Sequence, residues 1–286
     1  KNFRGYMSTY YSVNLNKVQT DDARNYNLND YLNGTAVVSG QPISTFYSYK
    51  FLGLNPQNGA PMFDDWEDRW HLLQGKTLDE VVPMILVNSG TRDPKFSGDL
   101  NNTFTYKNWS LSLNFSYSLG SKVRLFEMYG PIINGISAAA NVREEFLDRW
   151  QVPGDEKYTV YPLIISPSSP DYEHYRLHYS APQRAVGPNS GVPAFANNVW
   201  QMYDDSDLRV VSGNYLKLQS LSFSYRLNDR LLRKTPFTQL SISFNTHNCF
   251  TISAKELRGQ DPSQAGFADA GLSIRPSYTI GLNVSF

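Results

Sequence analysis

The last eleven residues, Pro276 to Phe286, read PSYTIGLNVSF. Tyr278, Ile280, Leu282, Val284 and Phe286 fall at every second position, with Thr279, Gly281, Asn283 and Ser285 between them. A strand sends alternate side chains to opposite faces, so one face is wholly apolar and the other small and polar. The pattern recurs. In Trp109 to Gly120, Leu111, Leu113, Phe115, Tyr117 and Leu119 oppose Ser110, Ser112, Asn114, Ser116 and Ser118. In Lys95 to Tyr106, Phe96, Leu100, Phe104 and Tyr106 oppose Lys95, Ser97, Asp99, Asn101, Thr103 and Thr105.

Four further segments alternate: Tyr10 to Asn16, Ile43 to Leu54, Tyr215 to Leu227 and Gln239 to Asn245. Seven candidate strands of roughly 10 to 14 residues result, against about 5 to 6 for a soluble strand and about 9 to 11 for a membrane-crossing one. The polar face is Ser, Thr, Asn and Gly, which suits a wet barrel lumen. The aromatic-rich face suits lipid and its interfacial girdles. The predicted fold is all-β, a transmembrane antiparallel β-barrel with long extracellular loops. In Tyr215 to Arg226 the phase slips, because Leu216 and Leu218 are even while Leu221, Phe223 and Tyr225 are odd. Either a bulge sits there, or the first half stands above the membrane facing a loop. The second reading is the one adopted.

Lys plus Arg and Asp plus Glu are both 26, which argues against a nucleic-acid binder working by bulk electrostatics. No apolar run approaches the roughly 20 residues of a transmembrane helix. The mean hydropathy of −0.43 is compatible with a barrel, whose strands show lipid only half their residues. The single cysteine, Cys249, reads as a small buried side chain. The chain opens in mid-pattern at Phe3-Arg4-Gly5-Tyr6, as expected of the carboxy-terminal part of a longer protein. Seven strands would leave two open edges to be paired in lipid.

The predicted connections alternate in length. A tight turn at Lys107-Asn108 and a short link over 229–235 contrast with long stretches at 55–94, 121–213 and 249–275. Outer-membrane barrels put short turns on the periplasmic side and long loops outside. The exception is 19–41, long and on the periplasmic side. Asn134 to Trp150 reads as helical, with Val142, Phe146 and Trp150 four apart, stopped by Val152-Pro153-Gly154-Asp155. Thr77 to Val82 reads as a short helical turn.

These residues suggest a family. Gly53-Leu54-Asn55-Pro56 with Asn58-Gly59-Ala60-Pro61, Asp93-Pro94-Lys95-Phe96-Ser97-Gly98 and Arg149-Trp150-Gln151-Val152-Pro153-Gly154-Asp155 stand in order. Gly213-Asn214-Tyr215-Leu216-Lys217-Leu218, Gln260-Asp261-Pro262 and a strand ending in Phe286 follow. Taken together, the chain resembles the carboxy-terminal third or so of the SusC/RagA-type TonB-linked outer membrane transporters of Bacteroidetes. The resemblance implies a 22-stranded barrel with an amino-terminal plug outside this chain, driven by TonB and capped by a SusD-like surface lipoprotein. A dimer of transporter–lid pairs is also in keeping with it. The family's acidic loop is replaced by Asp64-Asp65-Trp66-Glu67-Asp68, so no calcium site is carried over.

No catalytic residue, cofactor or metal site is expected. His174 and His178 are four apart, but Tyr175, Arg176 and Leu177 between them read as extended and no acidic or Cys ligand falls at a useful spacing. There is no G-x-S-x-G elbow, Walker loop or G-x-G-x-x-G. The candidate ligand-binding residues are aromatic and acidic groups of the outer loops: Trp66, Trp70, Trp200, Tyr203, Asp204 and Asp205. Acids beside rings suit polyol or amide recognition. Tyr278, Ile280, Leu282, Val284 and Phe286 are the candidate membrane-assembly signal. The reading is import of an oligosaccharide or oligopeptide across a bacterial outer membrane, with outer-membrane lipid around the barrel. Its rivals are a passive porin or structural barrel, whose lumen would want charged rings, and a soluble carbohydrate-binding β protein.

Overall fold

The structure, a computed structural model, describes residues 2–20, 25–64, 66–130, 142–176, 179, 185–186, 192–193, 198–263 and 275–286. Its strands in chain order begin with β1 (Phe3–Val13), β2 (Thr45–Tyr49), β3 (Phe51–Leu54), β4 (Pro61–Phe63) and β5 (Leu86–Thr91). Then come β6 (Phe96–Tyr106), β7 (Trp109–Leu119), β8 (Lys122–Arg124), β9 (Ala185–Val186) and β10 (Val192–Pro193). The last are β11 (Val210–Ser212), β12 (Tyr215–Arg226), β13 (Gln239–Ser253) and β14 (Ser277–Ser285). Short helices are α1 (Leu28–Asn33), α2 (Leu78–Ile85), α3 (Tyr172–Arg176), α4 (Val199–Asp204) and α5 (Asp229–Leu232). No helix among the described residues is long and apolar enough to cross a membrane.

Six long strands make one antiparallel sheet in the order β1-β6-β7-β12-β13-β14. Directly paired residues share a face, so the register reads out that face. Phe96↔Leu119, Leu100↔Phe115, Phe104↔Leu111 and Tyr106↔Trp109 join β6 to β7. Leu111↔Phe223 and Leu113↔Leu221 continue into β12, Phe223↔Phe244 and Tyr225↔Ile242 into β13, and Phe244↔Ile280 and Ile242↔Leu282 into β14. The apolar face is continuous and bare: Ile242, Ile252, Ile280, Leu282 and Tyr278 are all more than half exposed. Such an area is far more than a soluble surface tolerates, and it is what a lipid-facing wall requires.

The predicted membrane strand Ile43 to Leu54 is corrected. It breaks into β2 and β3, which pair with β5 and β4 and not with the large sheet. Its alternation of Tyr47, Tyr49 and Phe51 against Ser48 and Lys50 mimics a half-lipid strand, yet all of β2 is buried. Removing it makes the strand number even and abolishes the long periplasmic connection. Every long connection, 14–95, 120–214 and 254–276, now leaves the same end of the sheet, while 107–108 and 227–238 close the other end.

The phase slip in β12 is a bulge, which corrects the other reading. Leu218 pairs with Phe115 and Ser220 with Asn114, so Gln219 is the extra residue opposite β7. Its Nε2 donates to Ser116 Oγ at 2.7 Å. At the same level β13 carries an extra residue opposite β12, where Asn248 takes φ 54°. The paired bulges return Leu216 and Leu218 to the apolar face beside Tyr117 and Phe115. At Gly98 a side chain would collide with the carbonyl of Tyr10, so β1 and β6 can approach only because the residue is glycine.

At the long-connection end, the first two long connections fold into a cap with its own core. Tyr31, Leu32, Val81, Val82 and Leu86 from the first meet Met128, Tyr129, Phe146, Trp200 and Tyr203 from the second. Helix α1 starts with a capping box at Asn27 and Asp30 and stops at Gly34, φ 69°. The Thr77–Val82 turn is realised as α2, which continues to Ile85 with Pro83 inside it. Of the helix expected over Asn134–Trp150, the described part holds one short 3₁₀ segment, Glu144–Asp148; residues 134–141 lie outside the described residues.

Candidate functional site

The motif pieces make the joints between the cap's segments and between cap and sheet. Asn55 and Asn58 accept from the backbone N–H groups of Gln57 and Ala60, closing a turn. At its tip Gly59, φ 66°, lies so close to the Trp150 ring that a side chain would enter it. Trp150 is fixed in turn by its own N–H to Tyr161 O and by the turn at 151–155, where Asp155 accepts from Gln151 and Val152. Asn214 Oδ1 accepts from Gly120 N at 2.6 Å. Asp261 Oδ2 accepts from Lys217 Nζ at 2.7 Å, with both side chains under one tenth exposed. That pair ties the last long connection to the polar face of β12.

The β7–β12 ladder does not end at the sheet. After Gly120 and Gly213 it resumes as β8 against β11, with Val210↔Arg124 and Ser212↔Lys122. This extension carries Arg124 into the base of the cap. There Nη1 donates to Leu32 O at 2.8 Å and Asp205 Oδ1 at 3.0 Å. Nη2 donates to Tyr47 O at 2.7 Å and Ser48 Oγ at 2.9 Å. One guanidinium thus binds the end of α1, strand β2 and the residue after α4. Burial pushes the Asp205 carboxyl up to about 6; Arg124 pulls it down, and Asp204 and Glu127 push it further up.

The predicted ligand residues lie largely within this framework. Asp204, 2 % exposed, accepts from three successive backbone N–H groups, those of Met128, Tyr129 and Gly130, at 2.8–2.9 Å. Burial raises its carboxyl, opposed by Arg209 and those N–H groups. Trp200 donates Nε1 to Leu163 O at 3.1 Å and stacks on Tyr172 at 5.6 Å. Tyr203 is fully buried, edge-on to Phe51 and Tyr129. Trp66 is buried beneath Arg69, which sits 4.1 Å from its ring centre and pairs with Asp64. Trp70 lies in the 3₁₀ segment Glu67–Leu72. The structure therefore brings Trp200, Tyr203, Asp204 and Asp205 together, engaged with the protein itself, and does not bring Trp66 into their polar network. Asp207, two residues beyond Asp205, pairs with Lys50 at 2.9 Å. Among the described residues no group of three His, Cys, Asp or Glu could hold a metal; His178 lies outside them.

Sequence reasoning missed Arg124 and Arg209, and it quoted Lys217 and Asp261 only inside motif pieces, with no role for either. Lys217 left one signal: with Arg226 at the strand's far end it is one of two charges on a strand face otherwise made of Gln, Ser and Tyr. β14 places Tyr278, Ile280, Leu282 and Val284 on the apolar face, and Phe286 beyond it packs edge-on against Phe237 at 5.2 Å.

An antiparallel sheet of strands 9 to 15 residues long, with one bare apolar face, one polar face and a cap at one end, defines a section of outer-membrane-type barrel wall. No family model matches the chain. It is 23% identical over 269 residues to TonB-dependent receptor P3 of Formosa agariphila, covering 86% of this chain and 22% of the receptor. All of the chain superposes on solved structures of the RagAB peptide importer. In the open-open state the TM-score is 0.62 at 17% identity, covering 27% of that chain; in the closed-closed state it is 0.63 at 16%, covering 28%. The chain spans about a quarter of the length of these relatives. The matches bear out the resemblance read from the sequence: the chain has the fold of part of a SusC/RagA-type TonB-dependent transporter.

Proposed function

We propose that the chain forms part of a transporter that imports an oligomeric nutrient, an oligosaccharide or oligopeptide, across a bacterial outer membrane under TonB control. The observation that carries this is the two-faced sheet with all its long connections leaving one end, the first two of them folded into a cap. In this reading the sheet is the carboxy-terminal part of a 22-stranded barrel. The remaining strands pair with its free edges β1 and β14, and the plug and TonB contact lie outside this chain. The apolar face meets outer-membrane lipid, and the segment from Tyr278 to Phe286 guides assembly. A SusD-like lipoprotein closes over the cap, and two such pairs form a dimer. RagAB is a peptide importer, which supports the oligopeptide alternative. Trp66, Trp70, Trp200, Tyr203, Asp204 and Asp205 serve cargo binding by shaping the cap. No covalent chemistry is involved.

The test is native mass spectrometry of the full-length complex extracted in detergent, with uptake measured in cells with and without TonB. A co-purifying lipoprotein with oligosaccharide or peptide mass, and TonB-dependent uptake, are expected. A bare barrel that conducts without TonB would replace the proposal with a porin.

A further inference from the structure

A cleft of about 330 Å³ lies between the cap and the last long connection, at the lower end of ligand-pocket sizes. Its apolar wall is Leu125, Val160, Leu208 and Val211. Tyr203 and Arg209 also line it. These two side chains are 0 % and 3 % exposed. Each carries a buried polar atom with no partner among the described residues, Oη of Tyr203 and Nε of Arg209. Native proteins rarely leave such atoms unmet without a reason. Arg209 is otherwise held in place, since its Nη2 donates to Phe126 O at 2.8 Å.

The rim chemistry selects the ligand. Lys255 and Arg258 from the last connection face Glu145 and Glu256. Glu145 is already paired with Arg143 at 2.6 Å. With Arg209 the lining holds three cations against two carboxylates, one of them neutralised from outside. Both unmet atoms can donate, and one belongs to a permanent cation. Two donors, surplus positive charge and an apolar wall fit a carboxylate at the end of a small apolar group.

We propose that this cleft is a subsite for an apolar molecule ending in a carboxylate, with Tyr203 Oη and Arg209 Nε donating to its oxygens. The site stands on its own geometry. Its use for the terminal residue of an oligopeptide cargo rests on the transporter reading. The carboxylate could equally come from a free organic acid.

The experiment uses the full-length transporter in detergent and titrates it with N-acetyl-leucine and N-acetyl-leucinamide by calorimetry. The acid should bind at least about tenfold tighter than the amide, the difference expected of a charge-assisted hydrogen bond. Tyr203→Phe deletes a hydroxyl without a partner among the described residues, so its melting temperature should hold or rise while affinity for the acid falls about tenfold. Arg209→Lys, which keeps the charge and loses Nε, should weaken binding likewise. Equal binding of acid and amide would overturn the proposal. So would wild-type affinity in Tyr203→Phe, or a lowered melting temperature showing that the hydroxyl is already satisfied in the free protein. Competition by a leucine-terminated peptide but not by its carboxy-amide assigns the subsite to cargo; competition by free acids alone assigns it to an organic acid. If uptake proves independent of TonB while the acid still binds, the transporter reading falls and the subsite stands.

Discussion

Replacing Arg124 by Met is the perturbation that most directly tests how wall and cap are joined. The change keeps most of the apolar stem and deletes the guanidinium. Four donations within 3.0 Å vanish, to Leu32 O, Tyr47 O, Ser48 Oγ and Asp205 Oδ1. Breaking a buried ion pair from one side costs about 3–5 kcal/mol, because the remaining charge is uncompensated. Each carbonyl left bare adds up to about 1–3 kcal/mol. Asp205 offers partial escape, since burial already raises its carboxyl and the lone acid can take a proton. We therefore expect a net loss of about 3–5 kcal/mol, confined to the cap. The assay is hydrogen exchange with mass spectrometry on the full-length protein in detergent. Amides of α1, β2 and α4 should lose protection while those of β6 and β7 keep theirs. The pair Arg124→Met with Asp205→Asn should recover part of the loss, because no charge is left buried. A cap within about 0.5 kcal/mol of wild type in the single variant, a typical surface-change magnitude, would refute the reasoning. Failure of the second change to rescue would refute the part assigned to the ion pair.

Three other outcomes are expected. Asp205 has a folded carboxyl raised to about 6 from 3.8; its contribution is complete below the unfolded value and is lost as pH rises through about 6, so Asp205→Asn should flatten cap stability between pH 4 and 6 in the same exchange assay. Leu282→Arg puts a charge on the lipid face and should cost about 2–4 kcal/mol at mid-bilayer, seen as a lower yield of heat-modifiable folded barrel on gels, while Asn283→Arg on the opposite face leaves the yield unchanged. Gly59→Ala should lower the cap's stability by about 1–2 kcal/mol for the left-handed backbone plus about 1–3 kcal/mol for crowding Trp150, measurable as faster proteolysis near 150–163.

The sheet was largely legible because one rule runs through its strands, an apolar face of fixed period broken only locally, by Asn102 on β6 and by the bulges of β12 and β13. Tyr278 to Phe286 and Trp109 to Leu119 obey that rule without exception. Where a bulge at Gln219 shifted the phase of β12, pattern alone could not tell a re-phased strand from one that had left the membrane; only the pairing of Leu218 with Phe115 settles it. Thr45 to Tyr49 failed for the opposite reason. Its alternation is real, but the polar member Ser48 is satisfied inside the cap by Arg124 and Ser89. Trp200, Tyr203 and Asp204 read as surface recognition groups because aromatics and acids in a long loop have the same spelling whether they face a ligand or one another. The partners that decide between these, the N–H groups of Met128 to Gly130 and the carbonyl of Leu163, lie far off in sequence.

The ladder that runs through Gly120 and Gly213 into β8 and β11 has a mechanical meaning. Both strands run covalently from wall to cap, so a force pulling the cap away along the strand axes is carried by two continuous backbones, and the interstrand bonds between β8 and β11 resist bending and splaying of the pair. Attached by such a splice and clamped at Arg124, the cap behaves as a rigid post on the wall. A partner pushing on it delivers torque to β7 and β12.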